Sequence, residues 1–239
     1  MKVSKLLDIL WPRRCEVCGG QVDRAERYIC SASLMRIQFL TQEGCCRVCG
    51  RSVEDAKGGF ICEECKTRRP HYDAVASAVR FVDEARELLL KYKSAEGLWL
   101  KEDLVDWIEA AARSRYDIAS VDVVIPMPIT IYHRVDRGYN QCVYLARALA
   151  KRIDRRCIEN AVVRCGNPKR QAGLSEEERI ENVKGTFKAL NTPHIKGRTV
   201  LLVDDVMATG STLSECAKVL KEAGAWRVWG LTLARSVRE

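Results

Sequence analysis

Eight of the twelve cysteines in this 239-residue chain lie between Cys15 and Cys65, and only Cys142, Cys157, Cys165 and Cys216 follow. No other feature constrains the fold so tightly. A segment that short buries too little apolar surface to fold unaided, so it needs staples. The N-terminus, MKVSKLLDILWPRRC, carries one short apolar patch and no small-residue cleavage site, which predicts a cytoplasmic protein. In that compartment clustered cysteines point to metal ligation before disulfides. The four later cysteines show no pairing pattern and are expected to be small apolar core residues.

The second half of the cluster is Cys46-x2-Cys49, twelve residues, then Cys62-x2-Cys65, with Gly50 and Gly58-Gly59 supplying turns. Two such knuckles deliver four thiolates to one tetrahedral zinc. The first half repeats the plan as Cys15-x2-Cys18, eleven residues, then Cys30-x2-Ser33. Isoleucine precedes the third cysteine and glycine follows the second in both halves, so the region resembles an internal duplication whose fourth ligand became serine. Because a serine hydroxyl is a poor zinc ligand, the first site is lost, open to water, or completed by another residue. Either Cys45, the spare cysteine nearby, completes it, or Cys45 only packs and the first half binds no metal. A closed four-thiolate shell leaves no vacancy for substrate, so the zinc is expected to be structural.

Past residue 70 cysteines thin out and the pattern changes. With 30% charged residues and no apolar run near the ~20 residues a bilayer span needs, membrane insertion is not expected. The formal charge of +8 suits polyanions or phosphorylated ligands; residues 1–70, with 13 basic and 9 acidic side chains, hold half of that excess. AVASAVRFV, VDVVIPMP, AVVR, RTVLLV and RVWGLTLAR have strand character. Between them ARELLLKYKSAEGLWLKEDLVDWIEAAARS holds two amphipathic helices, and NQCVYLARALAKRI and SECAKVLKEAGA one each. Alternation with continuously apolar strands predicts an α/β domain with a mainly parallel, Rossmann-like sheet covered on both faces. The boundary is expected in KTRRPHYD, giving a zinc-binding region over 1–70 and an α/β domain over 71–239.

In such sheets ligands sit at the carboxyl ends of the strands. RTVLLV (198–203) leads into Asp204-Asp205, then Val206-Met207-Ala208-Thr209-Gly210-Ser211-Thr212 and a helix. A helix N-terminus offers unpaired N–H groups and a favourable dipole to an anion. Gly210 permits close backbone approach or positive φ, and three hydroxyls add donors. A phosphate monoester fits the loop, and the two carboxylates then require a neutral, hydroxyl-rich or magnesium-coordinated neighbour. A sugar 5-phosphate meets both demands. An ordinary strand–turn–helix would explain Ser211 but not two adjacent acids.

VLLVDDVMATGST resembles the phosphoribosyl-pyrophosphate (PRPP) signature of type I phosphoribosyltransferases. Together with RGYNQ (137–141), RQAGLSEEERIENVKGTF (170–187), LTLAR and the cysteine knuckles, it makes the chain similar to the ComF, or competence protein F, family over nearly its whole length. The resemblance implies that Asp204 and Asp205 hold the ribose hydroxyls of PRPP, with Mg²⁺, and that Met207, Ala208, Thr209, Gly210, Ser211 and Thr212 cradle the 5-phosphate. It places the pyrophosphate side around Met127-Pro128 with Arg137; Arg134 is added because its fork of donors suits phosphate. Gln171, Arg179 and Asn182 fall on family positions in a hood over 165–186 whose length and polarity suit a lid.

Two departures matter. Ala208 stands where some transferases of the superfamily carry an acid that serves a purine base, and Ser33 breaks the fourth knuckle. Two activities follow from the resemblance: a Mg²⁺-dependent phosphoribosyl transferase, or a non-enzymatic PRPP- or nucleotide-binding protein that assists single-stranded DNA uptake in competent bacteria, alongside membrane-associated uptake machinery. Aromatic stacking residues for DNA are sparse, Trp11, Tyr28 and Phe39 being the nearest. A zinc-ribbon adaptor with a vestigial phosphate site is a third idea, against which the intact Asp204-Asp205 and Thr209-Gly210 stand.

Overall fold

The structure is a computed structural model that describes residues 13–23, 26–41, 43–52, 59–130, 132, 134–135, 138–166, 175–190 and 192–236, the side chains of 95, 96, 176 and 179 excepted. Two short helices, α1 (Ser31–Leu34) and α2 (Glu63–Thr67), belong to the cysteine-rich region. After them come β1 (Ala74–Arg80), α3 (Asp83–Tyr92), α4 (Lys101–Arg115), β2 (Val123–Pro126), α5 (Gln141–Arg152) and β3 (Arg156–Cys157). β4 (Val162–Arg164), α6 (Glu176–Val183), β5 (Phe187–Ala189), β6 (Thr199–Met207), α7 (Ser211–Glu222) and β7 (Arg227–Arg235) complete the described elements.

The main sheet is five-stranded and parallel throughout, in the order β1-β7-β6-β2-β3. Its strands are apolar at successive positions because both faces are covered. Leu201 and Val203 pack on one side with Leu88, Leu104, Leu145 and Leu149 from α3, α4 and α5. Val200 and Leu202 pack on the other with Leu213 and Leu220 of α7. Cys46, Cys49, Cys62 and Cys65 belong to that same cluster, so the second cysteine knuckle covers sheet surface beside α7. Each fully buried leucine contributes roughly 1.5–3 kcal/mol relative to exposure.

The first cysteine half covers an edge rather than a face. β1 is the outermost strand, and residues 38–40 pair with it: Leu40 N–H donates to Ala78 O at 2.9 Å and Arg80 N–H to Gln38 O at 2.9 Å. An exposed edge strand would otherwise present unpaired backbone groups.

The helices end where local chemistry predicts. Asn140 caps α5, its side chain accepting from Cys142 N–H at 3.0 Å, and Lys151 and Arg152 lie in the last turn where the dipole favours cations. α7 terminates at Ala223 with Gly224 following in the left-handed region. Among the described residues no helix is long and apolar enough to cross a membrane.

Three features differ from the sequence reading. AVVR does not join the main sheet; β4 pairs instead with β5, a strand that the sequence reading does not name, as a separate antiparallel pair. Arg156–Cys157 adds an edge strand that two residues cannot announce by periodicity. RTVLLV does not stop before the acids but continues through Met207, because β7 goes on pairing as far as Met207 opposite Arg235.

Candidate ligand site and metal centres

β2 ends at Pro126, opposite Val203 of β6. From Asp204 onward β6 therefore has a partner only on its β7 side, and the space vacated by β2 is where the two acids meet other side chains. Gln141 Nε2 donates to Asp205 Oδ2 at 2.7 Å, and Lys93 Nζ lies 3.1 Å from the same oxygen. The Cys142 thiol lies 3.6 Å from Asp204 Oδ1, which also accepts the Asp205 N–H at 2.9 Å. Ligand atoms of Cys142, Asp204 and Asp205 all fall within 4.8 Å of one another.

Adjacent carboxylates sharing a desolvated strand end cannot ionise equally. Burial, followed by the charge of Asp205, pushes Asp204 up to about 7. Burial also acts to raise Asp205, but Lys93 and Gln141 outweigh it and hold that carboxyl below the ordinary range. Buried Tyr92 fixes both partners in place: its hydroxyl donates to Gln141 O at 3.0 Å, and Lys93 is the next residue. The Oε1 of Gln141, a residue only 3% exposed, has no hydrogen-bond partner among the described residues. A buried acceptor left unpaired costs free energy, so this one suits a hydroxyl or a cation. Lys93, Gln141 and Cys142 are absent from the sequence-derived site. Gln141 closes the RGYNQ motif and could have been flagged; Lys93 carries no local signal.

The next residues turn into α7. Met207 is buried and Ala208 and Thr209 half-buried; Gly210 is the helix N-cap with φ +81°. A Cβ on Gly210 would lie 2.4 Å from Met207 Cε and 3.0 Å from the Tyr72 hydroxyl, so glycine is required sterically as well as conformationally. Thr209 Oγ1 and Ser211 Oγ are 2.9 Å apart, and Ser211 N–H donates to Thr209 Oγ1 at 3.3 Å. Thr212 follows in the first turn. Beside this loop opens a cavity of about 550 Å³ between α2, α6 and α7. Arg68, Arg69 and Lys218 line it and make no ion pair among the described residues. With Arg51, Lys184 and Arg235 they outnumber Glu64, Glu177 and Glu215 in the lining, so the cavity carries net positive charge.

Of the expected pyrophosphate and hood residues, Met127 is buried, its carbonyl accepting from Asn140 Nδ2 at 3.0 Å. Arg134 is exposed. Arg137 and Gln171 lie outside the described residues, as does the side chain of Arg179, whose backbone is in α6. Asn182 is half-buried in the same helix. α6 begins with a capping box between Ser175 and Glu178 and is tied to α7 through Gly185 N–H donating to Glu215 Oε1 at 2.9 Å. Arg164 of β4 stacks over Phe187, 5.2 Å from the ring centroid, with its buried Nε unpartnered among the described residues.

The four sulfurs of Cys46, Cys49, Cys62 and Cys65 lie within 4.8 Å of one another and are all buried. Those of Cys15, Cys18 and Cys30 form a second such group. In each, one thiol is held below its ordinary range. Burial opposes ionisation of Cys15, but the Cys30 N–H and the Ser33 hydroxyl outweigh it and bring it to about 6. The Cys65 thiol beside Cys49 brings the latter to about 4. Cys45 does not join the first group. Its thiol donates to Thr41 O at 3.0 Å, and its backbone bridges to Ser52, which directs the side chain elsewhere. The expectation that Cys45 completes the site is thereby corrected: the fourth position is filled by Ser33.

A family profile for the double zinc ribbon domain matches residues 6–67, and one for the phosphoribosyl transferase domain matches residues 139–235. Competence protein F of Haemophilus influenzae is 29% identical over 227 residues, 92% of this chain and 97% of that protein. The DNA utilization protein YhgH of Escherichia coli O6:H1 is 26% identical over 229 residues, 95% of this chain and 98% of that one. Among solved structures, the allosteric regulatory enzyme of purine biosynthesis aligns at 18% identity over 60% of this chain and 30% of that chain, with a TM-score of 0.41, an overlap too loose to bear on the assignment.

The parallel sheet and the domain match define a type I phosphoribosyltransferase fold, joined to an N-terminal double zinc ribbon. The two cysteine groups support structural zinc in that ribbon. Over nearly its whole length the chain is similar to competence protein F, and it carries both domains that the two profiles describe.

Proposed function

We propose that this chain binds PRPP, or a related sugar 5-phosphate, together with Mg²⁺, in the cytoplasm. The reading rests on one juxtaposition: two acids near the end of β6, with Asp205 five positions before Gly210, the left-handed glycine that caps the N-terminus of α7. Asp204 and Asp205 take the ribose hydroxyls, and Met207–Thr212 take the 5-phosphate. Met127, Arg134 and Arg137 form the pyrophosphate side, and Gln171, Arg179 and Asn182 the hood. Asp204 and Asp205 offer oxygen ligands that suit a hard cation, with the Cys142 sulfur within 4.8 Å of them. Such an ion, when bound, offsets charge on a departing pyrophosphate. The protein's own part is to orient the sugar and exclude water beneath α6. Ala208 supplies no base to an acceptor, so an acceptor must bring its own nucleophile or be activated elsewhere. Residues 1–70 form the zinc-built region and 71–239 the phosphoribosyltransferase-like domain.

Calorimetry with PRPP and Mg²⁺ tests this. Binding should disappear in the Asp204→Ala, Asp205→Ala double variant; undiminished binding would overturn the site. A second reading, a non-enzymatic protein that handles single-stranded DNA, is favoured by Arg68, Arg69 and Lys218 in the cavity lining, which make no ion pair among the described residues. The names of the relatives, competence protein F and DNA utilization protein, point the same way. Retained PRPP binding without pyrophosphate release across a panel of nucleobases and amines would favour it over transfer.

A further inference from the structure

The two ribbons are built alike down to individual hydrogen bonds. In the second, Cys62 N–H donates to Cys46 Sγ at 3.3 Å; in the first, Cys30 N–H donates to Cys15 Sγ at 3.4 Å. Gly19 and Gly50, each following a second cysteine, have φ of +71° and +70°. Cys30 and Cys62 each precede a short helix, α1 or α2. Within that shared frame Ser33 stands where Cys65 stands. Its side chain is fully buried, with Oγ 3.4 Å from Cys15 Sγ and 3.3 Å from Cys30 Sγ.

These spacings fit a metal. Bonds of 2.3 Å to sulfur and about 2.1 Å to oxygen, arranged tetrahedrally, require S···S near about 3.8 Å and S···O near about 3.6 Å. Cys18 and Cys30 sulfurs are 3.7 Å apart, as are those of Cys49 and Cys62. The Ser33 contacts sit within a few tenths of an ångström of the oxygen requirement. Arg36 Nη2 lies 3.4 Å from Ser33 Oγ, a cationic donor that favours electron density on that oxygen.

We propose that Ser33 closes the first ribbon as an oxygen ligand, so that the chain carries two unequal zinc sites: an inert four-thiolate site and an exchangeable site of three thiolates and one hydroxyl. Two features make the first site the one that empties. It has one fewer soft anionic ligand. Cys18 is also exposed, which gives a chelator or a competing thiol access that the four buried cysteines of the second site deny.

The test uses the full chain. Metal analysis should give two zincs, and a colorimetric chelator should release them in two phases of equal amplitude. Ser33→Cys should move the fast phase into the slow one, at least about tenfold slower. Ser33→Ala should weaken or empty the first site and leave the slow phase untouched. With Co²⁺ in place of zinc, the wild type should show one four-thiolate spectrum and one with ligand-field bands shifted to shorter wavelength, and Ser33→Cys should make the two alike. A single zinc per chain, unaffected by Cys15→Ala, would overturn the proposal while leaving the second ribbon intact. Two zincs whose release and cobalt spectra ignore both Ser33 variants would overturn it equally. No zinc at all would reject the ribbon assignment itself, a separate failure.

Discussion

Arg235 Nη1 donates to the carbonyl of Cys49 at 2.6 Å and lies 3.4 Å from Met207 Sδ, so one buried guanidinium at the end of β7 joins the second cysteine knuckle to the start of the loop before α7. The knuckle is thus part of the wall of the cavity beside that loop. Arg235→Met removes the donor and leaves the carbonyl without it, a loss of roughly 1–3 kcal/mol. At this chain length that lowers Tm by about 2–4 °C per kcal/mol. Calorimetry should show weaker PRPP binding as well. Arg115→Met is the contrast, because Arg115 also binds knuckle carbonyls, those of Cys46 and Arg47, but makes no hydrogen bond to the loop among the described residues. It should lower Tm with affinity unchanged. Equal effects of the two variants on affinity would refute the coupling through Arg235.

The unequal acids set a pH dependence. Asp204 is raised from 3.8 to about 7, so folding favours its protonated form. The stabilising contribution is fully present below the unfolded value and is lost as pH rises through the folded one. Asp204→Asn holds the position neutral. Without divalent cations its Tm should match the wild type near pH 4, exceed it increasingly up to pH 7, and keep a constant advantage above that. A Tm difference that does not vary between pH 4 and 8 would contradict the raised carboxyl. The same variant should lose PRPP binding, as expected where a strained acid pair is kept for function.

Much of this was legible in the chain. The knuckles, the α/β alternation and the acid-pair loop are local patterns, and each is set by residues within about twenty positions of one another. What escaped depends on distance. Lys93 and Gln141 reach Asp205 from 112 and 64 positions away, through the packing of α3 and α5 on the sheet. The extent of β6 was missed because a strand ends where its neighbours stop pairing, and charged residues persist in a strand while β7 runs alongside. Cys45 misled for a related reason. Sequence proximity suggested a substitute ligand, whereas the bridge from Cys45 to Ser52 commits its backbone to the second ribbon.

Gly210 offers a sharper probe of the loop than its hydroxyls. At φ +81° any L side chain pays roughly 1–2 kcal/mol. The added methyl would also drive Met207 Cε and Tyr72 from their present positions. Gly210→Ala should therefore lower Tm by several degrees and weaken PRPP or ribose 5-phosphate binding by at least about tenfold, ~1.4 kcal/mol. Met207→Leu, Gly210→Ala should recover part of the stability by removing the methyl contact. If Gly210→Ala binds as tightly as the wild type, the 5-phosphate does not sit in this loop.

The cavity beside the loop separates the two functional readings. Arg68 and Arg69 face it from the segment that follows α2 and Lys218 from α7, and their charges are not consumed by carboxylates among the described residues. Phosphates held by such groups release counterions, so affinity falls with salt in proportion to the number of contacts. If a single-stranded oligonucleotide enters the cavity, Arg68→Glu, Arg69→Glu should reduce its affinity at low salt by tenfold or more. The slope of log affinity against log salt should fall by about 1–2. Adding Lys218→Glu should take the loss further. PRPP titrations of the same variants should change less, since Asp204, Asp205 and the loop remain. Oligonucleotide binding that survives all three reversals with its slope intact would place DNA on another surface and leave the cavity to a small phosphorylated ligand.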